Sequence, residues 1–153
     1  MLSSAKRLAR RRLDDKLADI KVLQRIAPPQ TGWLRAIRDA LGMSGTQFAR
    51  RLGVSWQSMD DLEKSEAAGT IGLGTLRRAA AALDCTLVYA LIPNSSLEAM
   101  VSERAKALAK AAIAQVDQTM QLEDQRVTHV NREELIEDYI RDHVRDRDLW
   151  DDK

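Results

Sequence analysis

The sequence predicts an all-α fold carrying one short strand. Three observations lead to that expectation. Leu and Ala dominate the apolar residues, while aromatics make up 4% of the chain, a balance that favours helix over sheet. Apolar residues recur at three- and four-residue steps along most of the chain, with capping residues where the runs begin. The stretch SGTQFARRLGVSWQSMDDLE, residues 44–63, has the rhythm of two short helices joined by a glycine turn.

The elements follow in chain order. Residues 4–26 read as one helix: Leu13, Leu17 and Ile20 repeat at helical spacing behind the basic run Arg7, Arg10, Arg11 and Arg12. Pro28-Pro29 ends it, since proline lacks the backbone N–H and restricts the residue before it. Thr31 can cap a second helix with Leu34, Ile37 and Leu41 on one face, closed by Gly42. Ser44 and Gln47 form an S-x-x-Q capping box for the next, whose apolar face is Phe48, Ala49 and Leu52. Gly53 supplies the turn, Val54 is expected to plug the core, and Ser55 caps a helix with Met59 and Leu62 inward.

Residues 65–74 read as a loop or a helix start, and Thr75 to Leu83 as an Ala-rich helix. The run DCTLVYALIP then changes character, because Thr86, Leu87, Val88, Tyr89 and Ile92 favour a strand. A lone strand needs a partner for its backbone groups. The simplest is the same strand of a second copy, paired antiparallel about a two-fold axis through Leu87, Tyr89 and Leu91. The alternative is an extended tail packed on its own domain. Ser95 and Glu98 make another capping box for a long helix over residues 97–124, striped with Leu97, Val101, Ala105, Leu108, Ala112, Val116 and Met120. Asn131 and Glu134 cap a last helix, and Trp150 is expected to dock at its end. Three regions result: a basic N-terminal helix (1–30), a helix-turn-helix region with strand 86–92 (31–93), and a C-terminal helical region (94–153).

Composition limits the function classes. The net charge of +1 conceals a gradient from +5 over residues 1–30, through +1 over 31–92, to −5 over 93–153. A basic head suits phosphate contact, and an acidic tail suits solvent or a basic partner. One cysteine, Cys85, and two histidines exclude a disulfide framework and argue against a structural metal. Asp60, Asp61 and Glu63 have no histidine or glycine-rich phosphate loop beside them, and Ser44 and Ser58 have no nearby histidine, so neither a metal centre nor a nucleophilic triad is expected. His143, among Asp142, Arg145 and Asp146, reads as surface salt bridging. No catalytic residue, cofactor or membrane span is expected. The low cysteine content and the lack of a secretory leader point to a cytoplasmic setting.

A helix-turn-helix needs a small residue where its helices meet, a flexible turn and apolar anchors behind the reading helix. Ala49, Gly53 and the set Phe48, Leu52, Val54, Met59 and Leu62 meet those needs within fifteen residues. Residues 31–83 therefore resemble the phage-repressor-type helix-turn-helix domain, the XRE or Cro/CI family, whose fold is lambda-repressor-like. Carried over position by position, the resemblance places Gln47 and Arg50 near phosphates. The backbone N–H groups at Ser44 and Gly45, at a helix N-terminus, also suit a phosphate, and charge adds Arg35, Arg38, Arg51 and Lys64 as cationic contacts, with the Arg7 to Arg12 run as an arm. Trp56, Gln57 and Asp61 face base edges, and Glu63 matches the acid that often ends the reading helix. Asp61 can accept a hydrogen bond from cytosine N4. Trp33 and Trp150 are expected in the core. The implied partner is double-stranded DNA with a pseudo-palindromic operator, bound by a homodimer.

GWLRAIRDALGMSGTQFARRLGVS, TLRRAAAALDCTLVYALIP, SLEAMV, TMQLEDQ and the closing LW together resemble the family called mobile mystery protein A. That resemblance implies an antitoxin-like, autorepressing regulator in the bacterial cytoplasm, usually encoded beside a Fic-domain protein. Fic inhibitors commonly carry the pattern [Ser/Thr]-x-x-x-Glu-[Gly/Asn] on a helix. Thr119 and Glu123 supply its T-x-x-x-E part, with Asp124 departing from the last position. The alternative reading of this segment is an ordinary acidic helix end. The rival function is thus a protein-interaction antitoxin that acts on a Fic enzyme through its C-terminal helices.

Overall fold

A computed structural model of the protein describes residues 1–122 and 132–151. Among these, seven α-helices form: α1 (Ser4–Ala18), α2 (Trp33–Ala40), α3 (Gly45–Leu52), α4 (Trp56–Ala67), α5 (Leu73–Ala82), α6 (Leu97–Leu122) and α7 (Arg132–His143). The chain divides into two compact units, residues 22–91 and residues 1–21 with 92–153.

In the unit of residues 22–91, side chains meet the starts of α2, α3 and α4. Gly32, rather than Thr31, caps α2, at φ 81°. Its place has a steric reason. A Cβ there would fall 2.0 Å from Glu66 Oε2, and that oxygen accepts the Leu34 N–H at 3.4 Å. A carboxylate from α4 thus substitutes for the missing cap. The Ser44–Gln47 capping box of α3 forms as expected, and Ser55 Oγ accepts the Ser58 N–H at 3.1 Å to start α4. Gly53 closes α3 in the left-handed region at φ 71°, while the Val54 N–H bonds back to the Ala49 carbonyl at 3.1 Å.

The core of this unit gathers Leu34, Phe48, Ala49, Met59, Ala79 and Leu83, with Ile37, Met43, Leu52, Ile71 and Leu76 packed around them. Helix α3 packs on both α4 and α5, and α2 packs on α4. Two sequence expectations fail here. Val54 does not plug the core: it sits on the turn at 39% exposure, and Ile71 and Leu76 fill the interior instead. Trp33, the first residue of α2, is 44% exposed, because Leu34 takes the inward position.

The expected strand is also absent. Residues 85–93 carry no strand, and none forms among the described residues. A single chain offers this segment no neighbouring edge to complete a ladder. Val88, Tyr89 and Leu91 lie exposed along it, while Leu87 is half-buried.

In the unit of residues 1–21 with 92–153, α1 and α7 both pack on α6. Helix α1 ends at Ala18, where the Ile20 N–H bonds to the Leu17 carbonyl and tightens the turn. Only a separate 3-10 turn, Lys21–Arg25, follows, so residues 4–26 are not one helix. Helix α1 contributes polar contacts. Asp14 accepts the Leu97 and Glu98 N–H groups at 2.8 and 3.2 Å, capping α6, and Arg10 pairs with Glu98 at 2.8 Å. Ser96, not Ser95, completes the cap by accepting the Ala99 N–H. Val101, Ala105, Val144 and Leu149 form the core, so α6 uses its stripe against α7 and the segment after it. Trp150 is 57% exposed. The neighbouring Leu149 is buried in its place, and its carbonyl accepts from Arg104 Nε. No helix among the described residues is long and apolar enough to cross a membrane.

Candidate nucleic-acid interface

The helix pair α3 and α4 presents a polar surface held by a rigid base. Phe48 and Met59, fully buried, anchor the two helices from below. Ala49, 3% exposed, leaves room for their close approach. Gly45 does the same at the helix starts. A Cβ on it would lie 2.8 Å from Met59 Cε and 2.9 Å from Trp56 Nε1. The indole of Trp56 therefore rests against Gly45 at the start of α3, with about half its surface still exposed.

Behind the surface, two glutamates one turn apart fasten α4 to α2. Glu63 is 4% exposed and takes Arg38 in a two-pronged pair, Nε to Oε1 at 2.5 Å and Nη2 to Oε2 at 3.1 Å. The same guanidinium donates to the Met43 carbonyl at 3.0 Å and pairs with Asp39. The bond to Glu63 raises the Arg38 pKa above its ordinary value, against the downward pull of burial. Such a fork fixes both distance and angle between helices. Glu66 adds the second tie through the start of α2. Sequence reasoning did not single out Glu66. Its three-residue step from Glu63 is the one signal that places it on the same inner side of α4.

The sequence-predicted site residues divide into three groups. Ser44, Gln47, Arg50, Arg51, Trp56, Gln57 and Asp61 are all exposed on α3, α4 or their starts. Ser44 and Gln47 are tied to each other, since Gln47 Oε1 accepts the Ser44 N–H at 2.8 Å. Arg50 and Arg51 are in no ion pair among the described residues. Gln57 and Asp61 are joined directly: Gln57 Nε2 donates to Asp61 Oδ1 at 3.3 Å. In the second group, Arg35 and Lys64 are exposed but have acidic neighbours. Arg35 lies 3.9 Å from Asp39, and Lys64 pairs with Asp60 at 2.6 Å, which raises the Lys64 pKa. Arg38 stands alone in the third. Its side chain is 11% exposed and committed to Glu63, so it positions α4 and has no guanidinium to offer a phosphate.

Elsewhere, Thr119 is exposed on α6, its hydroxyl bonded to the Gln115 carbonyl; Glu123, Asp124 and Asn131 lie outside the described residues. Tyr139 and His143 stack at 4.7 Å on α7. Among the described residues no group of three or more His, Cys, Asp or Glu is placed to hold a metal ion.

Capped at both helix starts and closed by a left-handed glycine, α3 and α4 have the form of a helix-turn-helix. No curated protein and no solved structure matches the chain. Residues 34–88 match the Cro/C1-type HTH DNA-binding domain.

Proposed function

We propose that the protein is a sequence-specific transcriptional regulator, not an enzyme, that binds a pseudo-palindromic operator and represses its own operon in the bacterial cytoplasm. One observation carries this reading. The start of α4, in a region that matches a DNA-binding family, exposes Trp56, Gln57 and Asp61 together above a buried Arg38–Glu63 tie. Helix α4 enters the major groove by its N-terminal end. Ser44, Gln47, Arg50 and Arg51 meet the backbone phosphates alongside, with Arg35 and Lys64 at the margin. Phosphate contacts of this kind set affinity and register, while the α4 side chains select sequence.

The working unit is a homodimer. Exposed Val88, Tyr89 and Leu91, on a segment with no ladder partner in its own chain, support pairing with a second copy. A reporter driven by the region upstream of the gene tests the regulatory role. Expression should fall when the protein is supplied and recover with Gln57→Ala. Unchanged expression with the wild-type chain contradicts it.

A second reading follows from the likeness of the C-terminal motifs to mobile mystery protein A. In it, residues 97–150 hold a Fic-domain protein, and Thr119 with Glu123 blocks its nucleotide site. Helices α6 and α7 belong to a compact unit of their own rather than to the unit that holds α3 and α4, which favours a second partner. Co-expression with a neighbouring Fic protein tests it: Glu123→Gly should release that enzyme's activity, and full silencing by the variant counts against it.

A further inference from the structure

Gln57 and Asp61 do more than share a face. Gln57 Nε2 donates to Asp61 Oδ1 at 3.3 Å across one turn of α4, with both residues exposed. We propose that Asp61 is a positioning residue that fixes the Gln57 amide in the one orientation that reads adenine. This rests on the DNA-binding reading above and gives it a base.

The argument is one of donors and acceptors. A glutamine amide has two N–H donors and one carbonyl acceptor. An ionised carboxylate only accepts. Turning the Gln57 amide over would place Oε1 against Asp61 Oδ1, two acceptors facing each other. Asp61 therefore selects the orientation with Nε2 toward itself. One N–H is then used, leaving the second N–H and Oε1 to face outward as a donor–acceptor pair. Adenine presents the complement in the major groove, the N7 acceptor beside the N6 donor. Guanine presents N7 and O6, two acceptors, so Oε1 is repelled. Cytosine N4 and thymine O4 each satisfy only one half of the pair.

The neighbouring acid does not compete. Asp60 is 19% exposed and engaged by Lys64 at 2.6 Å on the flank of the helix. Asp61 is thus the carboxylate that sets the Gln57 amide, and its role is exercised through Gln57 rather than on cytosine.

Selection by the full chain from a randomised duplex library tests the assignment. The wild-type protein should enrich one adenine, favoured over guanine by about tenfold. Asp61→Ala should bring that preference to within about twofold, because with no acceptor at position 61 the Gln57 amide is free to turn its N–H groups toward guanine O6 and N7. Gln57→Ala should erase the preference at the same position. Asp61→Glu, which keeps an acceptor, should retain it. A variant Asp61→Ala that still selects adenine overturns the proposal. So does a change confined to a cytosine elsewhere in the site, which would make Asp61 a direct reader. If the wild-type chain enriches no sequence, the regulator reading itself falls, and this assignment with it.

Discussion

At the residue scale, the Arg38–Glu63 pair ties α4 to α2. Both side chains are largely withdrawn from water, so removing one partner leaves the other charged and unsatisfied. Glu63→Ala should cost about 3–5 kcal/mol in denaturant unfolding. Replacing both together, Arg38→Met with Glu63→Leu, should recover most of that loss, since no uncompensated charge remains. An equal loss in single and double variants would show that the pair acts through packing alone. Gly45 is the second decisive residue. Any side chain there meets the Trp56 indole and the buried Met59 methyl. Gly45→Ala should lose roughly 1–3 kcal/mol of stability by overpacking and also shift Trp56. Its fluorescence emission should change while α-helix content by circular dichroism holds. An unaltered Trp56 signal would contradict the contact.

At the element scale, what is legible in the sequence is local. The capping box Ser44–Gln47, the Ser55 cap and the left-handed Gly53 are readable because their partners lie within a few residues. What stays hidden depends on residues far apart in the chain. Asp14 caps α6 from more than eighty residues away, and Glu66 caps α2 from thirty-two. Periodicity carries no trace of either bond. Charge alone suggests Arg38 as a phosphate contact; burial and Glu63 assign it inward. The strand expected over 86–92 rests on side-chain preference, yet a strand needs a neighbouring edge as well. The long-range cap gives a test. Asp14→Ala exposes the first N–H groups of α6 and should destabilise the unit holding α1 and α6 by about 1 kcal/mol, read by hydrogen exchange of the α6 amides. Unchanged exchange there would refute the capping role.

At the scale of the whole molecule, the proposed function gives affinity and selectivity separate sources. Helix α4 carries two exposed or half-exposed acids near its outward surface, Asp61 and Asp60, so arginines beyond it must supply attraction to DNA. Arg50→Ala with Arg51→Ala should lower the salt slope of binding by about 2, one unit for each phosphate no longer neutralised. Leu91, the most exposed of the large apolar residues in the 85–92 segment, governs assembly in this account. Leu91→Asp should yield monomers in sedimentation and weaken operator binding, and a dimer that persists would move the interface elsewhere. The most direct test of DNA reading is a fluorescence-anisotropy titration of the duplex upstream of the gene, beside a scrambled duplex of equal length, at two salt concentrations. The account predicts binding to both at low salt and, at physiological salt, an upstream duplex bound about a thousandfold or more tightly than the scrambled one. Equal dissociation constants for the two duplexes, or no binding at low salt, would contradict it.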